Sequence, residues 1–289
     1  MKIDFSYSKH YDLIFHVLAY LKVNNASNLY DENYINGISQ YKKDFTFDII
    51  PAINSLEKYY NENFERLGWI NFLPAFCNSF DEMKKRFVTD GRLTMESLKY
   101  FVEPFVDILE KESEFYFKYW DVMTGHLEST RSTVENYFTE KLSKFAFLFN
   151  YYKMPIKIGF SYSISRNGRG LIGDSFFTSI VKYPFMMEYI DYSLFMALHE
   201  YTHGFTDKLL QKNINMKDGS HTQSEILCIL ADFYLIKAVD ETLFLNYIKM
   251  FCPVNPSEEG FLKKFVVSEE LNNLLQEELG RVIQHKADT

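Results

Sequence analysis

The apolar positions of the chain change period along its length. Over residues 9–23, HYDLIFHVLAYLKV and its flanks, they recur at helical spacing, and further helical patterns follow to about residue 150. The longest of these is FVEPFVDILEKESEFYFKYWDVM. Pro51, Pro74 and Pro104 are expected as breaks or first-turn positions. In IKIGFSYSIS, residues 156–165, the period drops to two. Ile156, Ile158, Phe160, Tyr162 and Ile164 alternate with Lys157, Gly159, Ser161, Ser163 and Ser165, which predicts a half-buried strand. Asn167-Gly168 is a two-residue hairpin signal, and LIGDSFFTSIV, residues 171–181, supplies a return strand. Helix resumes near 190, and after the loop KNINMKDGS another helix is expected from about 221 to 238. Asn255-Pro256-Ser257-Glu258 reads as a capping box with Pro at the first helical position. Leu271, Leu274, Leu275, Leu279, Val282 and Ile283 form an apolar stripe on a terminal helix.

The order of elements predicts an α+β, mostly helical protein. A helical N-terminal region, residues 1–150, precedes residues 151–289, which hold a small antiparallel sheet and further helices. No flexible linker separates the two, so a shared interface is expected. No internal repeat or low-complexity segment interrupts them.

Composition narrows the picture. The 289 residues suffice for one large domain or two modest ones with a substantial core. A net charge of −8 argues against general affinity for nucleic acid or for anionic membranes. The 28 Phe and 21 Tyr read as compositional bias rather than a binding surface. Cys77, Cys228 and Cys252 are far apart and form no CxxC pair, which argues against a disulfide framework and for a reducing compartment. The opening MKIDFSYSKHYD lacks the apolar core of a signal peptide, and no window approaches a membrane span. The simplest location is the cytoplasm.

Candidate chemistry concentrates in FMALHEYTHGFTD, residues 195–207. On a helix His199 and His203 stand about 40° apart and one turn along, so their imidazoles can converge on one ion. Two nitrogen donors at this spacing suit Zn²⁺. Glu200 lies beside that stripe, placed for the general base that takes a proton from an activated water. Gly204 suggests close backbone packing. With 7 His in the chain, such a pattern arises by chance in roughly one chain per hundred. Uncharged Tyr201, Thr202, Gly204 and Phe205 also set it apart from a solvated surface helix. A third histidine at position 209 would complete a metzincin pattern, but that position is Leu209. Glu225, in SHTQSEILCILADFYL, lies 22 residues after His203 and shares a helix face with Cys228, Ile229 and Asp232. Cys228, one turn from Glu225, could sit close to such a metal, but reads better as a buried structural thiol. His10 and His16 are six apart and read as packing or surface residues. Asn167-Gly168-Arg169-Gly170 reads as a turn, since no helix start or GKS/T follows.

His199-Glu200-x-x-His203 with Glu225 resembles the gluzincin group of zinc metallopeptidases, over roughly residues 156–238. The resemblance implies a zincin-like sheet before the motif helix, His199, His203 and Glu225 as Zn²⁺ ligands, and Glu200 as the base. The Asp that orients a ligand histidine in thermolysin-like enzymes falls on Ile229 here. Asp232 is expected in that role, with Asp207 the alternative. His221 and Tyr234 are candidates for stabilising the oxyanion. The expected function is zinc-dependent hydrolysis of peptide bonds in a peptide or protein substrate. The alternative is a non-catalytic zincin-like binding or regulatory protein.

Overall fold

The computed structural model describes residues 2–22, 30–72, 77, 79–152, 155–164, 168–172, 177–213 and 221–284. In chain order the elements are β1 (Ile3–Tyr7), α1 (Lys9–Leu18), α2 (Glu32–Ser39), α3 (Ile49–Glu62), α4 (Phe64–Leu67), α5 (Phe80–Thr89), α6 (Met95–Ser97), α7 (Glu103–Ser143) and α8 (Ala146–Tyr152). There follow β2 (Ile156–Ser161), β3 (Arg169–Ile172), β4 (Phe177–Lys182), α9 (Ile190–Asn213), α10 (His221–Val239), α11 (Glu241–Phe251), α12 (Glu258–Lys264) and α13 (Glu269–Gln284). The protein is α+β and mostly helical, with one small sheet among the described residues.

The sheet differs from expectation in several ways. Its strand order is β1-β2-β4-β3, and it is mixed rather than antiparallel. Of the expected return segment, Phe177–Val181 on β4 pairs with β2, while β3 lies beyond β4 rather than next to β2. The expected return strand is in fact parts of two strands, with residues 173–176 and most of the Asn167-Gly168 turn outside the described residues. Strand β1 adds a neighbour that no local turn signal announces. β2 is also buried on both faces from Ile158 onward, not half-buried, because its serine face is taken up by a carboxylate: Ser161 donates to Asp12.

The chain divides into two compact units, and neither ends at residue 150. One comprises residues 1–5, 130–158 and 172–289; the other comprises 6–129 and 159–171. Helix α7 runs unbroken for 41 residues, from Glu103 to Ser143, and contributes to both units.

The unit built on residues 6–129 has an apolar core of Leu13, Ile14 and Val17 from α1, Ile53, Leu56 and Tyr60 from α3, and Phe101, Phe105 and Tyr116. Pro51 lies in the first turn of α3 behind an Asp48 cap. Pro104 lies in the first turn of α7, directly after a π turn over Leu98–Val102, where a wider backbone accommodates its missing N–H. Pro74 lies outside the described residues.

In the other unit, α9 packs on β4 and α10 packs on α9, α11 and α13. Leu227, Leu230, Ala231, Phe233, Leu235 and Ile236 bury most of the circumference of α10, as a central helix requires. The terminal helix α13 buries Leu271, Leu275 and Leu279. The cap before α12 is Ser257, which accepts from the Gly260 N–H, not Asn255. Asn255 has a φ of 55°, a left-handed conformation unlike the extended one an N-cap adopts.

Candidate metal centre

The site is assembled by two helices. α9 follows a 3₁₀ turn at Met187–Tyr189 and carries Asp191 in its first turn, where a negative charge suits the helix dipole. The Asp191 carboxylate also accepts from the Asn246 amide at 2.6 Å and from the Tyr137 hydroxyl. Midway along α9 the Tyr201 hydroxyl reaches the carbonyls of Lys157, on β2, at 3.0 Å and of Phe177, on β4, at 3.2 Å. These contacts fix the rotation of α9 against the sheet. Gly204 is buried, as close packing of this helix requires.

His199 and His203 then face α10. The Nε2 atom of His199 is 3.3 Å from Oε2 of Glu225, and Nε2 of His203 is 3.3 Å from Oε1 of the same carboxylate. A charge-assisted hydrogen bond closes to about 2.7–2.9 Å. Donors held about 2.0–2.1 Å from a tetrahedral zinc stand about 3.3 Å apart. Each imidazole thus faces a different Glu225 oxygen, at a separation longer than a charge-assisted hydrogen bond and close to that between two zinc donors. By contrast, Nδ1 of His199 meets Oδ2 of Asp232 at 2.8 Å, an ordinary hydrogen-bond length. That bond fixes the orientation of the His199 ring and points its Nε2 toward Glu225. The other Asp232 oxygen is buried with no hydrogen-bond partner among the described residues.

His203 has a looser counterpart. Its Nδ1 lies 3.8 Å from Asp207, whose carboxylate is held by the Ser224 hydroxyl at 2.8 Å. The Cys228 thiol is buried and donates to the His199 carbonyl at 3.3 Å. Ligand atoms of His199, His203 and Cys228 all lie within 4.8 Å of one another.

Burial disfavours charge on His203, but the Cys228 sulfur, Asp207 and Glu225 outweigh it and push the imidazolium pKa up to about 12. His199 moves the same way: burial again opposes, and Cys228, Asp232 and Glu225 prevail. Burial also opposes ionisation of Glu225, yet the two imidazoles hold its carboxyl far below the usual range. The cluster thus attracts positive charge, as protons or as a cation. Two imidazole nitrogens and a carboxylate oxygen suit zinc.

The structure brings together His199, His203, Glu225 and Asp232. Glu200 is half-buried, one residue beyond His199 on α9. Tyr234 is not brought to the site, because its hydroxyl donates to Asn272 at 3.0 Å and accepts from Gln276 at 3.2 Å, both on α13. It stands two residues from Asp232, across the helix. The backbone of His221 opens α10, and its side chain lies outside the described residues. Sequence reasoning passed over Ser224, which donates to Asp207 and belongs to no motif. It also passed over Tyr247, whose hydroxyl donates to the Ile229 carbonyl at 3.1 Å. No family model, curated protein or solved structure matches the chain.

Proposed function

We propose that the chain is a zinc-dependent hydrolase of peptide bonds, built on a gluzincin-like centre. The convergence of two histidines from α9 and one glutamate from α10 at 3.3 Å supports this reading. His199, His203 and Glu225 would hold the zinc. Bound there, zinc lowers the pKa of a water toward about 7 and polarises a carbonyl. Glu200 takes the proton of the attacking water and passes it to the leaving amine nitrogen. Asp232 holds His199 in the tautomer that presents Nε2, and Asp207 steadies His203 from its Nδ1 side. The substrate is a peptide or protein segment extended enough to reach the buried pair. Cys77, Cys228 and Cys252 form no disulfide, which favours a cytoplasmic setting. Among the described residues no helix is long and apolar enough to cross a membrane.

One observation favours a non-catalytic binding role: the Tyr234 hydroxyl is engaged on α13. The two readings separate experimentally. Metal analysis of protein purified without added metal or a histidine tag should find one zinc per chain, lost in His203→Ala. Chelator-sensitive cleavage of an unstructured peptide library supports the hydrolase. Zinc without cleavage leaves the binding role, and no zinc even after its addition at neutral pH removes the metal centre.

A further inference from the structure

Cys228 has polar groups of α9 beside its sulfur. It lies three residues after Glu225 and four before Asp232, so α10 presents all three on one face toward α9. Its sulfur is 3.3 Å from the His199 carbonyl oxygen, which seats it against the backbone of the motif helix. The sulfur and one nitrogen from each of His199 and His203 fall within 4.8 Å of one another. The residue is fully buried. A structural thiol needs none of these neighbours, whereas a cation between the imidazoles has a soft donor within reach.

We propose that Cys228 is a fourth protein donor to the cation, giving a set of two imidazole nitrogens, one carboxylate oxygen and one thiolate sulfur. This rests on the metal centre proposed above. On loading, the thiol proton leaves to solvent and the sulfur–metal bond forms; nothing is oxidised. Two consequences follow from the donor chemistry. The set selects thiophilic divalent ions over magnesium and calcium, which take oxygen donors. It also closes the centre at rest, so hydrolysis requires one donor to withdraw, since a hydrolytic zinc keeps a position open.

The test is optical and independent of turnover. The metal-free full chain is titrated with cobalt(II) chloride alone. Visible ligand-field bands report the four-donor centre, and a sulfur-to-cobalt charge-transfer band in the near ultraviolet reports the thiolate. The expected result is both bands at one cobalt per chain. The near-ultraviolet band should be lost completely in Cys228→Ser and kept in a Cys77→Ser, Cys252→Ser double variant. Visible bands without the near-ultraviolet band in the unsubstituted chain overturn the proposal and leave the His₂Glu centre standing. Absence of both bands overturns the centre and the proposal together. Because the unsubstituted chain and the double variant decide the matter, a Cys228→Ser protein that fails to fold does not rescue it.

Discussion

Two regions of this molecule bury histidine against carboxylate, and they do so in opposite ways. In the unit formed by residues 6–129 and 159–171, Asp12 accepts from the Tyr116 hydroxyl at 2.8 Å, the Tyr162 N–H at 2.9 Å, the Ser163 N–H at 3.3 Å and the Ser161 hydroxyl. Nearby, His16 meets Glu112 at 2.8 Å and Tyr34 at 2.7 Å, and Lys42 bonds both Glu112 oxygens at 2.7 and 2.6 Å. The Glu112 charge is matched by an ammonium, and burial drives the His16 imidazolium pKa down despite the pull of Glu112. At the α9–α10 cluster the carboxylates face imidazoles instead, and the His203 pKa is driven up to about 12. The first cluster is complete without any ligand. The second holds its imidazole–Glu225 contacts at 3.3 Å, longer than a charge-assisted hydrogen bond. Burial of a histidine therefore identifies neither a core nor a site; what matters is whether the protein alone neutralises the group.

The largest effect expected from this contrast is on activity. On the proposed mechanism, Glu200→Gln should cut peptide hydrolysis by about 10²–10⁴-fold while leaving zinc stoichiometry unchanged, because it removes the proton acceptor while keeping the side chain's shape. Undiminished turnover in that variant would exclude Glu200 as the base. The complete cluster should respond in stability instead. Glu112→Ala strands Lys42 and His16, and the loss of a buried pair's partner costs about 3–5 kcal/mol. Urea denaturation of the metal-free chain measures it. A loss below about 1 kcal/mol would show that the cluster is wetter or looser than its contacts imply.

These contrasts were legible in the sequence only in part. Helical spacing placed His199, Glu200, His203, Glu225 and Asp232, because a helix puts residues one turn apart on one face whatever the rest of the fold does. The alternation from Ile156 likewise announced β2. Strand β1 was lost because its own alternation, Ile3, Phe5 and Tyr7, is short, and the strand it pairs with lies far along the chain. The place of β3 beyond β4 was lost for a related reason: a turn signal says where the chain reverses, not which strand it returns to. The Asp12 and Glu112 clusters were invisible because their members look like the polar face of amphipathic elements. Only tertiary contact shows that this face is buried. Tyr234 was misjudged because α10 is buried almost all round, so a polar tip on it can be satisfied from several sides.

A smaller effect sharpens the comparison at its most specific bond. Asp232→Asn keeps the shape of the side chain but weakens the charge-assisted bond to His199 Nδ1. A partner of this kind is worth about 10–100-fold in metal affinity, so competition against a chromogenic chelator should show zinc binding weakened by that factor. The equivalent substitution at the complete cluster, Asp12→Asn, should leave zinc affinity unchanged while lowering stability. Equal losses of affinity in both variants would mean that the effect is general loosening rather than histidine orientation.

The smallest and most discriminating effect is in pH. In the metal-free chain the raised histidines stabilise the fold fully below their ordinary value of 6.5, and that contribution fades as pH rises toward about 12 for His203. The depressed Glu225 works the other way: its contribution is present above 4.5 and is lost as pH falls below it. The metal-free cluster is thus best satisfied by protons between these values, and less so above 6.5. Zinc requires the same groups deprotonated, so loading expels protons and strengthens as they become easier to remove. The rise in Tm on adding zinc should accordingly grow between about pH 6 and pH 8. For a zinc-free variant such as His203→Ala no rise should appear at either pH. A zinc-induced rise that is flat or shrinks over that interval would mean that the ion binds elsewhere, away from the groups whose protons it must displace.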